Sequence, residues 1–399
     1  MKVYEINTVC GYGSTGRIVV ELAKYVQGRG GQCEIAYGRE YGNASYANTY
    51  FIGTKLDHNI HGLLSRVCDR QGFYSHNATR SLVKHIKEYN PDVIHLHNLH
   101  GYYINIPILF DFLSHYGKPV IWTLHDCWAF TGHCTYFDMS NCEKWMIGCN
   151  HCPQKKEYPT SYFIDKSKKN YQDKKNWFQL PENMQIVTPS YWLKGLLDKS
   201  FLSSHESIVI NNGINLSYFK RCEGKIREKY NIGNKTVLLG VASIWGDRKG
   251  YRDFLKLAEE IDEDMVIILV GLNSKQLKEL PPSIIGIERT NSIDELCQVY
   301  SDADFFLNLT YQDNFPTTNI EALACGTPVL TYDTGGSVEI ADSLSGIVVE
   351  KGNISAIKKA VKELRFDRDA CVRRAKSFDA NDRYADYYSL YEDVIRRYS

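Results

Sequence analysis

A chain of 399 residues is long enough for two or three domains, each with a core of its own. Lys plus Arg equals Asp plus Glu at 47 each, so no overall field draws the chain to nucleic acid or to a membrane, and any such contact must be local. The longest apolar run, residues 265–270, is far too short to span a bilayer, and the start Met1-Lys-Val-Tyr-Glu-Ile reads as a strand rather than a basic and then apolar targeting segment. A cytosolic protein is expected, in which twelve cysteines point to burial or metal rather than to a disulfide framework.

Short apolar runs alternate with helical patterns from end to end. In the first half they fall at residues 3–6, 33–36, 93–96, 120–124 and 186–188. The pattern restarts at 236–241, 265–270, 284–287, 305–309, 329–332 and 346–349. This is the grammar of parallel sheets wrapped by helices, and it predicts an α/β protein of two doubly wound, Rossmann-like domains. The joint is expected near Asn211-Asn212-Gly213-Ile214-Asn215, whose Asn and Gly residues favour a turn. A last helical pattern over 382–398 carries Tyr384, Tyr387, Tyr388, Tyr391 and Tyr398. Ligands in such sheets bind beyond the carboxyl ends of the strands, so a cleft between the two domains is the expected active site.

Gly11-Tyr-Gly13-Ser14-Thr15-Gly16 follows the first strand and opens a helix, which satisfies the dinucleotide-binding fingerprint in spacing and context. An NAD(P)-dependent oxidoreductase is one reading of it; a tight turn using glycine for backbone freedom is another. The oxidoreductase also wants an acid at the end of the second strand. Glu34 falls early in that strand and Arg39 beyond its predicted end.

Further along, Trp122-Thr-Leu-His125-Asp126 places a His and an Asp at the end of a buried strand, where active-site groups collect. Cys134, Cys142, Cys149 and Cys152 then follow with seven, six and two intervening residues, near Cys127, His133 and His151. Four thiolates so close in sequence can close a structural zinc site; buried reduced thiols and a redox pair are the alternatives. From Lys155 to Lys175 seven lysines stand among Tyr158, Tyr162, Phe163 and Tyr171. Such a run is either a solvated face or a contact for anionic lipid heads or a lipid diphosphate.

In the second half Trp245-Gly-Asp-Arg248-Lys249-Gly250 precedes a helix. Cations are unfavourable at a helix N-terminus, which argues for an anion nearby. Asp313 and Glu321 then stand eight residues apart across another predicted helix start, where Pro316 suits the first helical position and Thr317 and Thr318 follow. Free N–H groups there would hold a phosphate. A sugar nucleotide needs such a surface: N–H groups for its diphosphate, one carboxylate for its ribose and another for its sugar.

The segment Asp313-Asn-Phe-Pro-Thr-Thr-Asn-Ile-Glu321-Ala-Leu-Ala-Cys-Gly-Thr-Pro-Val329 resembles the family 4 retaining glycosyltransferases, whose signature is an acid, seven residues, then Glu, running into Ala-Cys-Gly-x-Pro-Val. Asp313 stands where Glu is commoner. Asp126-Cys-Trp-Ala-Phe-Thr-Gly-His133-Cys134 is similar to a subgroup making colanic acid and capsular polysaccharides. The resemblance implies the GT-B architecture: residues 1–205 as an acceptor-side domain with a Cys-rich insert at 127–152, residues 206–378 as the nucleotide-sugar domain, and a terminal helix at 379–399 crossing back. It implies retaining transfer from a UDP-, GDP- or ADP-sugar to a glycan or lipid-diphosphate-linked acceptor in bacterial surface polysaccharide synthesis. No catalytic metal and no nucleic acid take part, and the protein is cytoplasmic, with peripheral contact to the inner membrane face through 155–175. His125 and Asp313 are expected at the donor sugar. Gly13, Asn314, Phe315, Pro316, Thr317 and Glu321 bind the donor, with Arg248 and Lys249 on its diphosphate and Glu321 on its ribose. Ser14, Thr15, Gly16 and Asp126 face the acceptor. The family's usual Arg five residues before the Lys is Ile244 here. From a different class, a GT-B binding or scaffold protein without turnover is the remaining expectation.

Overall fold

The computed structural model describes residues 1–40 and 46–398. The chain divides into two compact units: Met1–Ile210 with Tyr384–Ser399, and Asn211–Arg383.

Unit 1 holds β1 (Lys2–Val9), β2 (Gln32–Arg39), β3 (Thr49–Phe51), β4 (Val93–Leu96), β5 (Val120–Thr123), β6 (Met184–Thr188) and β7 (Ser207–Val209). They form one parallel sheet in the order β3-β2-β1-β4-β5-β6-β7. Its helices are α1 (Gly13–Gly28), α2 (Lys55–Cys68), α3 (His76–Tyr89), α4 (Ile106–Tyr116), α5 (Ser167–Phe178) and α6 (Tyr191–Leu197). Local chemistry sets their ends. Thr54 and Asp57 form a reciprocal capping box at α2, and Asn105 caps α4 through the Ile108 N–H before Gly117 ends it in the left-handed conformation. Strands β3 and β7 escape the sequence pattern because each is a three-residue edge strand with only half-buried side chains.

Unit 2 repeats the plan with β8 (Thr236–Val241), β9 (Met265–Val270), β10 (Ile284–Ile287), β11 (Phe305–Asn308), β12 (Val329–Tyr332) and β13 (Gly346–Val349), parallel in the order β10-β9-β8-β11-β12-β13. Around it lie α7 (Ile226–Lys229), α8 (Tyr251–Glu260), α9 (Ser274–Lys278), α10 (Ile293–Asp302), α11 (Thr317–Ala324), α12 (Ile354–Glu363) and α13 (Arg368–Ala375). Both faces of this sheet are apolar because both are covered. Val237 and Leu239 enter one core with Ile268 and Val329, while Leu238 enters another with Phe254 and Leu257. Each such side chain, fully buried, contributes roughly 1.5–3 kcal/mol over exposure.

The last helix, α14 (Ala380–Tyr398), belongs to unit 1 from Tyr384 onward. There the Tyr391 hydroxyl meets His95 Nδ1 at 2.6 Å and the Tyr387 hydroxyl meets Thr123 Oγ1 at 3.1 Å. Among the described residues no helix is long and apolar enough to cross a membrane.

Strand order reverses between β1 and β4 in unit 1 and between β8 and β11 in unit 2. Loops leaving the carboxyl ends of adjacent strands diverge at such points and leave a crevice. The candidate residues collect at both.

Candidate functional site

In unit 1 the Gly11–Gly16 loop leaves β1 and turns into α1. The Gly11 N–H donates to Gly16 O at 3.0 Å, and a Cβ on Gly16 would lie 3.0 Å from Val9 Cγ2 and 3.1 Å from the Gly11 N, so the turn packs closely around this glycine. The first turn of α1 has no side-chain cap. Gly13 and Ser14 are exposed there, Thr15 is half-buried and Gly16 buried.

Beside this loop, the residues after β4 and β5 form a column of imidazoles. His97 Nδ1 lies 3.1 Å from His125 Nε2, with the rings stacked. Behind them His97 Nε2 sits 3.7 Å from Glu5 Oε2 in full burial. Burial pushes the Glu5 carboxyl well above the usual range and His97 well below its own, so it favours the uncharged form of each. His125 is lowered to about 4, by burial first and His100 after it, against the opposing pull of Asp126; it is a neutral imidazole at pH 7.

Asp126 is held through both carboxylate oxygens. Its Oδ1 accepts from the Trp128 N–H at 2.9 Å and its Oδ2 from His100 Nε2 at 2.8 Å, while His100 Nδ1 meets the Tyr158 hydroxyl at 2.9 Å. Burial alone would raise this carboxyl, but His100 and the Trp128 N–H hold it below its ordinary value.

The Cys-rich insert packs against α5. Cys134, Cys142, Cys149 and Cys152 line one cavity of ≈ 10 Å³, about the space of one water-sized sphere. The Cys134 and Cys152 thiols are hydrogen-bonded, and Cys149 Sγ accepts from the Gly132 N–H at 3.2 Å. Among the described residues, no group of three or more His, Cys, Asp or Glu is spaced to hold a metal ion. Of the seven lysines at 155–175, Lys174 is not on the surface. Its ammonium is buried, donating to Trp128 O at 2.7 Å and Thr131 O at 3.1 Å over the Trp128 ring.

In unit 2 the corresponding loops leave β8 and β11. Lys249 Nζ lies 2.5 Å from Asp313 Oδ2, pairing two residues 64 positions apart. Arg248 Nη1 donates to Gln312 O at 2.9 Å, and Arg248 O accepts from the Tyr311 N–H at 2.8 Å. Gly250 permits this approach: its φ is +73° and a Cβ there would fall 2.1 Å from Leu309 O. Ile244, at the position where the family usually has Arg, is exposed.

Helix α11 begins at Thr317, with Pro316 as its N-cap residue rather than its first helical one and no side-chain cap. Thr317 is half-buried beside that end. Phe315 packs inward against Phe378, 5.6 Å between centroids, and the Asn314 N–H is held by Asp313 Oδ1 at 2.9 Å. Both therefore shape the loop. Glu321 lies in the helix's buried face, where Tyr300 donates to its Oε2 at 3.0 Å.

Sequence reasoning missed Glu5, His97, His100, Tyr158 and Tyr300. A signal existed for two of them: His95-Leu-His97-Asn-Leu-His100 at the end of a predicted strand is a histidine density that chance rarely produces.

Two Rossmann-like units, each with its site residues at the switch point of a parallel sheet, define the GT-B fold. Sucrose-phosphate synthase of Thermosynechococcus elongatus shares it at a TM-score of 0.72 and 14% identity, covering 99% of both chains. HepE of Anabaena, solved with UDP-glucose, shares it at 0.65 and 15%, covering 98% of this chain and 100% of that one. Residues 15–218 match the profile of Glycosyltransferase Family 4 and residues 235–367 that of Glycosyl transferases group 1. The chain belongs to glycosyltransferase family 4.

Among its relatives, the putative colanic acid biosynthesis glycosyl transferase WcaC of Escherichia coli is 23% identical over 275 residues, 66% of this chain and 65% of that protein. The capsular polysaccharide biosynthesis glycosyltransferase CapM of Staphylococcus aureus is 27% identical over 210 residues, 46% and 52% of the two chains. In Campylobacter jejuni an N,N'-diacetylbacillosaminyl-diphospho-undecaprenol alpha-1,3-N-acetylgalactosaminyltransferase is 25% identical over 212 residues, 47% and 54%. The chain thus spans between half and two thirds of the length of these curated relatives.

The oxidoreductase alternative finds no support in these likenesses. Strand β2 runs through Arg39, further than the sequence pattern indicates, so Glu40 follows it; that carboxylate pairs with Lys55 at 2.9 Å, and Glu34 is held by His85.

Proposed function

We propose that the protein is a retaining glycosyltransferase that moves a sugar from a nucleotide-sugar donor to a glycan acceptor carried on a lipid diphosphate, in bacterial surface polysaccharide synthesis. The observation that carries this reading is the Lys249–Asp313 pair beside the uncapped start of α11, at the switch point of unit 2. A cation, free helix N–H groups and a carboxylate in one place suit a sugar diphosphate, whose charge grows as the nucleotide departs. The names of the capsular and undecaprenol-linked relatives support the acceptor class.

In this reading Lys249, Arg248 and the α11 N-terminus stabilise the leaving diphosphate, and Glu321, oriented by Tyr300, binds the ribose. Asp313 and neutral His125 act on a sugar that becomes oxocarbenium-like. Gly13 and the Ser14-Thr15-Gly16 turn serve the donor and acceptor ends of the Gly-rich loop, and Asp126 acts through His100 as a positioning residue. For the thiols of Cys134, Cys142, Cys149 and Cys152 a structural zinc site and buried reduced thiols are the two readings, and the absence of a metal-spaced group among the described residues favours the second. About one zinc per chain in protein purified without chelator supports the zinc site, and metal-free, active, reduced protein refutes it.

Thermal shift with UDP-, GDP- and ADP-sugars against NAD(H) tests the ligand class, since a ligand that binds only the folded state raises the melting temperature. NMR of the product should then show the donor's anomeric configuration kept. Inversion contradicts the mechanism, and binding without transfer marks a scaffold.

A further inference from the structure

Helix α2 is built inside out. Its inward face is polar: His58 Nε2 meets Ile52 O at 2.8 Å, His61 Nδ1 meets Ser75 Oγ at 2.7 Å, and His61 Nε2 accepts from the Gly72 N–H at 3.2 Å. Its outward face carries Leu56, Ile60, Leu63 and Val67 in steps of four, three and four, which is one stripe on a helix. Leu56 and Leu63 are 67% and 62% exposed, Ile60 49%. The three inward hydrogen bonds fix the helix in this rotation, so the apolar stripe cannot be turned toward the core without leaving buried imidazoles unpaired.

The stripe continues onto a second segment. At the C-terminal end of α2, Arg66 O accepts from the Tyr162 N–H at 2.9 Å, and Tyr162, Phe163 and Ile164 stand exposed beside it, Phe163 by 73%. Cations rim both. Lys155 Nζ sits on Phe163 O at 3.3 Å, the Lys166 N–H is tied to Asp69 at the C-cap of α2, and Lys156, Lys168 and Lys169 are exposed. Of the nearby acids, Asp57 is engaged in the α2 capping box, Asp165 by the Cys152 and Ser167 N–H groups and Asp173 by Arg70, while Glu157 is exposed among the lysines.

We infer that α2 and residues 162–164 form a docking face for an anionic lipid bilayer, with the Leu56-Ile60-Leu63-Val67 stripe and Phe163 entering the interface and the lysines meeting its headgroups. An apolar band bordered by Lys and Arg, on a helix too polar to span, is the chemistry of an interfacial contact. A second copy of the chain fits less well, because a symmetric pairing would set one lysine rim against another. The face lies in unit 1 and extends the 155–175 contact expected from sequence onto the apolar stripe of α2, while Lys174, buried, takes no part. It rests on no assignment of donor or acceptor.

Flotation of the full chain tests it, using vesicles of phosphatidylcholine alone and of equimolar phosphatidylcholine and phosphatidylglycerol at physiological salt. The protein should float with the anionic vesicles and not with the neutral ones. The combined variant Leu56→Ser, Ile60→Ser, Leu63→Ser should lose about tenfold or more in partitioning, with an unchanged melting temperature because the positions are exposed. Phe163→Ser, away from the helix, should weaken binding by itself and covers the case of a triple variant that fails to fold. No flotation of the wild type, or undiminished flotation of both variants, overturns the inference. A wild-type dimer that becomes monomeric in the triple variant, without flotation, assigns the face to a second copy and overturns it too.

Discussion

Lys249 and Asp313 hold each other, each partly exposed. A pair so placed adds at most about 1 kcal/mol to stability, so its significance is positional: the ammonium is kept at the α11 N-terminus. Lys249→Ala should therefore weaken donor or nucleoside diphosphate binding about 10- to 100-fold by calorimetry, the loss of one or two charge-assisted bonds, at an unchanged melting temperature. Unchanged affinity removes Lys249 from the site. For His125 the expected split is different. In the proposed role it faces charge that develops mainly in the transition state, so His125→Ala should lower kcat far more than donor affinity. His97, buried, meets His125 Nε2 through its Nδ1 and in the proposed site would act through it. His97→Gln should shift the imidazole nitrogen resonances of His125 and lower kcat while leaving donor Kd alone; wild-type resonances and rate would make His97 a packing residue.

At the scale of elements, two close approaches build the site loops. The turn into α8 touches the end of β11 only because Gly250 lacks a Cβ. Gly250→Ala adds both a strained positive φ and a contact 2.1 Å from a carbonyl, and should cost about 2 kcal/mol or more in denaturant unfolding and displace Lys249 with it. In unit 1, α5 reaches the Cys-rich insert through Lys174, which satisfies two buried carbonyls. Lys174→Met keeps much of the stem but removes the donor to Thr131 O and leaves Trp128 O only its longer contacts from the Thr131 N–H at 3.4 Å and hydroxyl at 3.5 Å, and should cost about 2–4 kcal/mol. A loss below 0.5 kcal/mol, within the spread of ordinary surface substitutions, would show that water replaces the ammonium there.

At the scale of the whole molecule the histidines are unevenly shared: all twelve fall within residues 1–210, in unit 1. Burial lowers His61 and His95 to about 3, His125 to about 4, and His97 well below its ordinary value. A histidine whose folded pKa is depressed binds fewer protons folded than unfolded. Its contribution to stability is intact above the unfolded value near 6.5 and is lost as pH falls toward the folded value, about 1.4 kcal/mol per pH unit for each group. His133, raised by Asp69 against the larger effect of its burial, works the other way but is one against six, since burial also lowers His58 and His205. Acidification from pH 7 to 5 should thus lower the melting of unit 1 well before that of unit 2, giving two calorimetric transitions that separate as pH falls. A single transition insensitive to pH in that range would contradict the buried neutral imidazoles.

What the sequence determined by itself is what lies close together along it. The alternation of apolar runs yields two parallel sheets, because a strand covered on both faces must be apolar throughout. Asp313, Pro316, Thr317 and Glu321 are legible as a unit because eight residues span one loop and one helix start. Tertiary structure decided what depends on partners far apart in the chain. Asp313 meets Lys249 across 64 positions, and His97 meets Glu5 and His125 from neighbouring strands. Glu321 is held by Tyr300, and Lys174, one of seven lysines that read alike, is drawn into the core by two carbonyls more than forty residues away. The apolar stripe of α2 is visible as periodicity in the sequence, yet its direction is not. A helical pattern says that two faces differ; only the polar partners at Ile52, Gly72 and Ser75, satisfied in the folded chain, decide that the histidine face turns inward and the leucine face meets solvent.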